Sequence, residues 1–181
     1  MREEFLELHE ADHHRVVAFV RSNGASLDQA QEATHEAFVE AWQAVQTPGA
    51  WERIEHPAAW IRTVALRRYR RPPGARGQVP MVSTPPELLP EHHPGTTPPP
   101  DPMELAIGRT DVLAALRTLD DDCRAVIAFA MDGFSAVDTA AALGMDYQKV
   151  CNLRRKARKQ LAALLAPACQ QARQQEGGTT R

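Results

Sequence analysis

The sequence lacks the features that mark disulfide-rich and membrane-spanning proteins. Its three cysteines, Cys123, Cys151 and Cys169, are odd in number and form no CxxC pair, which argues against a disulfide framework. No apolar run approaches the length of about eighteen residues that predicts a transmembrane helix, and no signal peptide is evident. These absences predict a soluble, reduced, cytoplasmic protein without membrane insertion.

Aromatic residues are also scarce, and the charged residues are unevenly distributed along the chain. Aromatic side chains make up 6% of the 181 residues, whereas 43% are hydrophobic, so small aliphatic helix interfaces are expected. The net charge of −2 conceals a strong segregation, because residues 2–40 hold nine acids and three arginines while residues 57–86 hold six arginines and no acid. Residues 147–175 also contain no acid. This distribution favours a protein that contacts both another protein and a polyanion.

Proline is concentrated in one segment. Eleven of the fourteen prolines lie in residues 72–102, where apolar residues are few, and such a composition predicts a semi-extended linker. The flanking sequences carry helical periodicity. We therefore predict an all-α fold of two small helical domains, residues 1–71 and 103–166, joined by the linker 72–102 and followed by a disordered tail, 167–181.

The first domain is predicted to contain three helices. Residues 28–45 form the clearest of them, with Glu32, Glu36 and Glu40 spaced four apart on one face. Like charges at this spacing repel by a few tenths of a kcal/mol, so the row favours either a basic protein partner or a solubilising surface. The third helix begins at Pro57 and ends in arginines, which fits either stacking and phosphate contacts with unpaired nucleic acid or an exposed basic helix end.

Residues 134–165 give the most specific pattern. Ser135 is placed to cap one short helix, Gly144 to end it in a left-handed turn, and Asp146 to cap the next helix. The second of these helices has one apolar stripe and is otherwise basic. A helix-turn-helix with a DNA-reading second helix is predicted, with an ordinary surface helix pair as the alternative.

The sequence gives little evidence of an enzyme active site. His9 and His13 lie four residues apart, as two metal ligands on a helix would, but no second ligand pair is nearby and a solvated helix face fits better. No serine or cysteine has an evident base nearby. We predict a protein that is not an enzyme and needs no cofactor or metal. A helical metalloenzyme that uses the histidines is kept only as a rival.

The order of these motifs resembles that of the extracytoplasmic-function (ECF) sigma factors of bacterial RNA polymerase. HEAF at residues 35–38 is similar to the family's Gln-Glu-x-Phe, and WIRTVA at residues 60–65 to its Trp-Leu-x-x-Val-Ala. DTAAALG at residues 138–144 resembles Glu-Ile-Ala-x-x-Leu-Gly, and residues 156–161 resemble the closing Arg-Ala-Arg-x-x-Leu. The resemblance implies a region 2 bundle, a region 4 helix-turn-helix and no domain between them.

The resemblance also implies partners for the first domain. The second helix would dock on core RNA polymerase, whose clamp helices and flap are the expected contacts. The residues assigned to that surface are Asp28, Glu32, His35, Glu36, Phe38, Glu40 and Trp42. Loop 47–55 would take a flipped base of the −10 element, and the third helix would hold the melted strand. The residues assigned there are Trp51, Trp60, Arg62, Arg67, Arg68, Arg70 and Arg71.

The second domain would then read the −35 element. Specific base contacts are expected near the start of the last helix, from Gln148, Lys149, Asn152, Arg154 and Arg155. Arg158 and Lys159 more plausibly meet phosphates. The expected partners are core polymerase, promoter DNA and an anti-sigma factor. The rival is a stand-alone helix-turn-helix regulator that binds a palindromic operator as a dimer, which would leave the acidic and arginine-rich helices without a role.

Overall fold

The first helices form because apolar side chains recur on one side of each. The computed structural model describes residues 1–71 and 112–176, with side chains described as far as residue 164. Helix α1 spans Arg2–Ser22, α2 spans Leu27–Gln46 and α3 spans Pro57–Arg70. A capping box between Ser26 and Gln29 fixes the start of α2, and proline occupies the first turn of α3. All three helices pack against one another.

The helices of the second module are delimited by side-chain caps. Residues 112–117 are helical, and α4 spans Asp121–Met131, with Asp120 accepting from the Cys123 amide at 2.8 Å. Helix α5 spans Ala136–Leu143 and α6 spans Tyr147–Glu176. Each cap satisfies backbone N–H groups that have no partner inside their own helix.

The helix-turn-helix prediction is confirmed in its local details. Ser135 and Asp138 form a capping box at the start of α5, and Gly144 ends α5 with φ of 61°. The Asp146 carboxylate accepts from the Gln148 amide at 2.8 Å and so caps α6. Val150 and Ala157 anchor α6, and both are fully buried.

The two modules share an apolar core, which the sequence did not predict. Phe129 of α4 packs edge-to-face on Phe19 of α1, with ring centroids 4.8 Å apart. Ala125 and Ala128 of α4 belong to the same buried cluster as Val16 and Phe19. Helix α4 therefore lies on α1, and α5 lies on α3.

The all-α prediction is confirmed, since the described parts of the chain contain helices and no strand. None of the helices in those parts is both long enough and apolar enough to cross a bilayer. The predicted linker 72–102, the start of the second domain at 103 and residues 177–181 fall outside the described residues. Helix α6 continues to Glu176, ten residues beyond the predicted end of the domain at 166.

Candidate nucleic-acid and protein interfaces

Helix α6 turns a polar face outward at its N-terminal end. Gln148, Asn152 and Arg155 are exposed and lie at spacings of four and three, so they share one face, and Lys149 is exposed beside them. The amide oxygen of Asn152 accepts from Arg155 Nη2 at 2.9 Å. Such side chains, placed on a helix that can enter a groove, provide donors and acceptors for base edges.

The remaining predicted DNA-reading residues differ in exposure. Arg158 and Lys159 are exposed, whereas Arg154 is half-buried. The Arg154 Nε atom is buried and has no hydrogen-bond partner among the described residues. Arg154 is therefore less available to DNA in this arrangement than Arg155.

Acidic residues of the same module partly neutralise the basic helix. Lys149 Nζ lies 3.2 Å from Asp122, and Lys156 Nζ lies 2.7 Å from Asp120. The hydrogen bond from Lys156, together with the one from the Cys123 amide, lowers the pKa of Asp120 to about 2. Both ion pairs are solvent-exposed, so they cost little to exchange for contacts with phosphates.

The arginines at the end of α3 contact the acidic row of α2. Arg67 Nη2 and Arg68 Nη2 donate to the two oxygens of Glu40 at 2.7 and 2.6 Å, and Arg68 also lies 3.7 Å from Glu36. Partial burial by itself raises the pKa of Glu40, but the hydrogen bonds from Arg68 and Arg67 outweigh it and the net shift is downward. Glu36 and Glu40 of the acidic row of α2 therefore have basic partners within the protein. Arg70 donates to the Asp121 carbonyl of the other module at 3.0 Å, and Arg71 is half-buried.

The predicted polymerase surface is divided between exposed and buried residues. Asp28, Glu32 and His35 are exposed, whereas Trp42 is half-buried and Phe38 is buried. Phe38 packs against two histidines of α1, with ring centroids 4.8 Å from His9 and 5.7 Å from His13. Partial burial lowers the pKa of both histidines. Across the described residues, no three His, Cys, Asp or Glu side chains are grouped so that they could hold a metal.

Two residues predicted to contact the −10 strand lie inside the protein. Trp51 is 3% exposed and packs against Phe5, with its indole N–H 3.4 Å from a Glu4 oxygen. Arg62 is 1% exposed. Trp60 is half-buried and lines an open groove of about 320 Å³ between loop 47–56, α3 and α5. Across this groove, Thr63 Oγ1 donates to the Ala142 carbonyl of α5 at 3.2 Å.

Arg62 is the centre of a buried ion-pair cluster that sequence reasoning missed. Its Nη1 donates to Asp12 Oδ2 at 2.9 Å and to the Ala58 carbonyl at 2.8 Å, and its Nε donates to Asp132. Arg15 also contacts Asp132, at 3.1 Å. Burial lowers the pKa of Arg62, but the hydrogen bonds to the two carboxylates outweigh it and the net shift is upward. We call Asp12, Arg15, Arg62 and Asp132 the Arg62 cluster.

A sequence signal for this cluster did exist. Asp12 occupies a position in the apolar stripe of α1, between Phe5 and Val16, and Arg62 lies among the inward residues of α3, between Ala59 and Leu66. Opposite charges that interrupt two apolar stripes of one module indicate a buried pair.

Comparisons with known proteins identify the fold. No family model and no curated protein matches the chain. Solved structures that are similar to it include the following two. One is described as CnrH in complex with the cytosolic domain of CnrY, with 21% identity, 92% of this chain and 90% of that chain covered, and a TM-score of 0.65. The other is the sigma factor RpoE of Bartonella quintana in complex with the anti-sigma factor NepR, with 20% identity, 91% and 98% coverage, and a TM-score of 0.61. The two-module helical fold expected from the family resemblance is confirmed.

Proposed function

We propose that this chain is a sigma factor of the ECF type, a non-enzymatic subunit that directs core RNA polymerase to promoters. The observation that carries the proposal is an exposed polar and basic helix, α6, on the second module of a fold similar to that of a sigma factor over nine-tenths of both chains. The separate acidic and arginine-rich helices support the same conclusion, because a sigma factor has to contact a protein and DNA together.

In this proposal α6 reads the −35 element. Gln148, Lys149, Asn152 and Arg155 are favoured for base contacts because they are exposed near the start of the helix. Arg154 would join them after a change of rotamer. Arg158 and Lys159, farther along, would meet phosphates and set orientation without reading sequence.

The first module would bind polymerase and the −10 element. Exposed Asp28, Glu32 and His35 at the start of α2 are favoured for the polymerase contact, and Glu36, Phe38, Glu40 and Trp42 support that surface from within. Trp60 and the arginines of α3 are favoured for the unpaired strand, since aromatic and cationic groups together bind single strands. Two weak DNA contacts fixed on one polymerase gain affinity through effective concentration.

We also propose an anti-sigma partner. The similar chain from Bartonella quintana was solved with the anti-sigma factor NepR, and CnrH was solved with the cytosolic domain of CnrY. A partner of this kind would compete with polymerase for the chain.

Transcription in vitro tests the proposal directly. Core polymerase with and without the full chain is supplied with genomic DNA, and start sites are mapped. The chain is expected to add a set of starts that share two upstream elements. Arg155→Ala is expected to reduce these starts and relax preference at one position, at a cost of about 1–3 kcal/mol in promoter binding. Arg117→Ala, an exposed arginine of the same module that lies outside α6, is the matched control and should leave the starts unchanged.

Two results would contradict parts of this proposal. Pull-downs with no affinity for core polymerase, together with tight binding of a palindromic duplex by the chain alone, would contradict the proposal and favour the stand-alone regulator. Equal transcription by wild type and a combined Arg154→Ala, Arg155→Ala variant would overturn the assignment of α6.

A further inference from the structure

The Arg62 cluster joins the two modules through four charges, three of which are almost fully removed from water. The side chains of Arg62, Asp12 and Asp132 are 1%, 8% and 13% exposed. Asp12 and Arg62 belong to the first module, whereas Asp132 ends α4 of the second. Arg15 donates from its Nε to Asp132 Oδ1 and from Nη2 to the Asp132 carbonyl, both at 3.2 Å. The Asp132 carboxylate of the second module thus accepts hydrogen bonds from two arginines of the first module, Arg15 and Arg62.

Further contacts surround this cluster. The Arg62 guanidinium lies 5.0 Å from the centre of the Phe134 ring, which in turn packs on Phe129 at 5.5 Å. Arg124 Nη1 donates to the Asn23 carbonyl at 3.2 Å, on the other side of the shared core. The junction has a buried apolar centre and a directional polar rim, which is the composition of a specific interface.

This junction covers the side of α3 that carries Arg62 and Thr63 and leaves the outward face of α6 exposed. Arg62, Thr63 and Arg70, which lie along α3, all donate to groups of the second module. Ala142 of α5 forms the opposite wall of the groove beside Trp60. By contrast, Gln148 and Arg155 of α6 are exposed. A duplex can reach α6 in this arrangement, whereas a single strand cannot reach the inner side of α3.

We propose that the Arg62 cluster holds the free chain in a self-inhibited closed arrangement that withholds the side of α3 carrying Arg62 and Thr63 from single-stranded DNA while the duplex-reading helix stays available. The inference rests on the proposed function for its biological meaning, but the closed arrangement itself is testable without it. Polymerase would open the chain by binding the separated modules more tightly than the closed form, since only such a difference in affinity shifts the equilibrium. Because Arg62, Asp12 and Asp132 are almost fully buried, salt screens their pairs only weakly.

Removing the second module's carboxylate tests the closure. Asp132→Asn keeps the size of the side chain but removes the anion by which the second module holds Arg15 and Arg62, which then pair with Asp12 of their own module. Small-angle X-ray scattering of the full chain is expected to show a larger radius of gyration, and hydrogen exchange should rise in α3 and α4. Arg15→Gln, at the rim, should give the same changes to a smaller degree. Glu7→Gln removes one exposed carboxylate from α1 and is the matched control, expected to behave as wild type.

Binding to two DNA probes tests what the closure covers. If the closed form holds about nine molecules in ten, the apparent affinity for a strand that needs the open form is reduced about tenfold. Asp132→Asn should therefore bind a random-sequence single-stranded oligonucleotide about tenfold more tightly than wild type and Arg15→Gln about threefold more tightly. Affinity for a random-sequence duplex should change less than twofold, because α6 is already uncovered.

The outcomes separate the two proposals. Unchanged scattering and exchange in both variants, with circular dichroism showing that they fold, would overturn the closure. Expansion with equal gains for single strand and duplex would overturn the selective covering of α3. Expansion with the predicted DNA selectivity, but without any stimulation of core polymerase by wild type or variant, would support the closure and refute the sigma factor function.

Discussion

Replacing Arg62 by methionine is the most direct test of the buried ion pairs as a source of stability. The substitution keeps an unbranched apolar stem and removes the guanidinium, so Asp12 loses its 2.9 Å partner while it stays buried. Breaking a buried pair from one side costs about 3–5 kcal/mol. We expect about 3 kcal/mol, the lower end, because Asp132 keeps Arg15 at 3.1 Å and lies nearer to solvent.

Urea denaturation followed by circular dichroism measures this cost. With a slope of about 2 kcal/mol per molar urea, a loss of about 3 kcal/mol lowers the midpoint by about 1.5 M. The double variant Asp12→Leu, Arg62→Met removes both charges and should recover most of the loss, since apolar replacement of a whole buried pair is often neutral. Arg53→Met, in the exposed loop, is the control and should change stability by less than about 0.5 kcal/mol. A loss below about 1 kcal/mol for Arg62→Met would refute the reasoning. Asp12 would lose its nearest partner and keep Arg15 at 3.7 Å, and a buried carboxylate so weakly paired should cost more than that.

Three smaller tests address other parts of the molecule. Partial burial and neighbouring imidazoles lower the pKa of His13 from 6.5, so the unfolded chain takes up the proton first and stability should fall as pH drops through about 6.5. His13→Gln should flatten that dependence in urea melts at a series of pH values, and His56→Gln, at an exposed site before α3, should not. Ser135→Ala removes the acceptor of the capping box and should lower the free energy of unfolding by about 1 kcal/mol in the same assay. The pKa of Asp120, about 2 in the folded chain, should rise toward 3.8 in Lys156→Ala, as measured by carboxyl NMR titration. An unchanged pKa in this variant would show that the ion pair does not form in solution. The stabilisation that the Asp120 cap provides is fully present above pH 3.8 and is lost as pH falls through about 2.

Helix caps and turns could be predicted from the sequence, because each depends on a residue that acts on its own neighbours in the chain. Ser135, Gly144 and Asp146 were assigned to caps and a turn because each satisfies backbone groups within a few residues, and the structure has all three in those roles. The all-α fold followed in the same way from helical periodicity.

Contacts between helices that are separated in the sequence could not be predicted in the same way. The acidic row of α2 fitted either a basic protein partner or a solubilising surface, whereas Arg67 and Arg68 of α3 engage Glu40 from within the same module. Trp51 was expected to serve an unpaired base, but it lies against Phe5. Neither contact has a short-range signature, because both depend on how α1, α2 and α3 pack. The roles of these residues in binding polymerase or DNA stay predictions.

The separation of the two sides of α6 has a consequence for redesign. Val150 and Ala157 hold the helix in place, while Gln148, Asn152 and Arg155 face away from the packing. New side chains at those three outward positions should leave the fold and its thermal stability intact. If α6 reads DNA as we propose, a library randomised only there would yield regulators with altered target sequences. Mutually insulated gene circuits could be assembled from such variants in one cell.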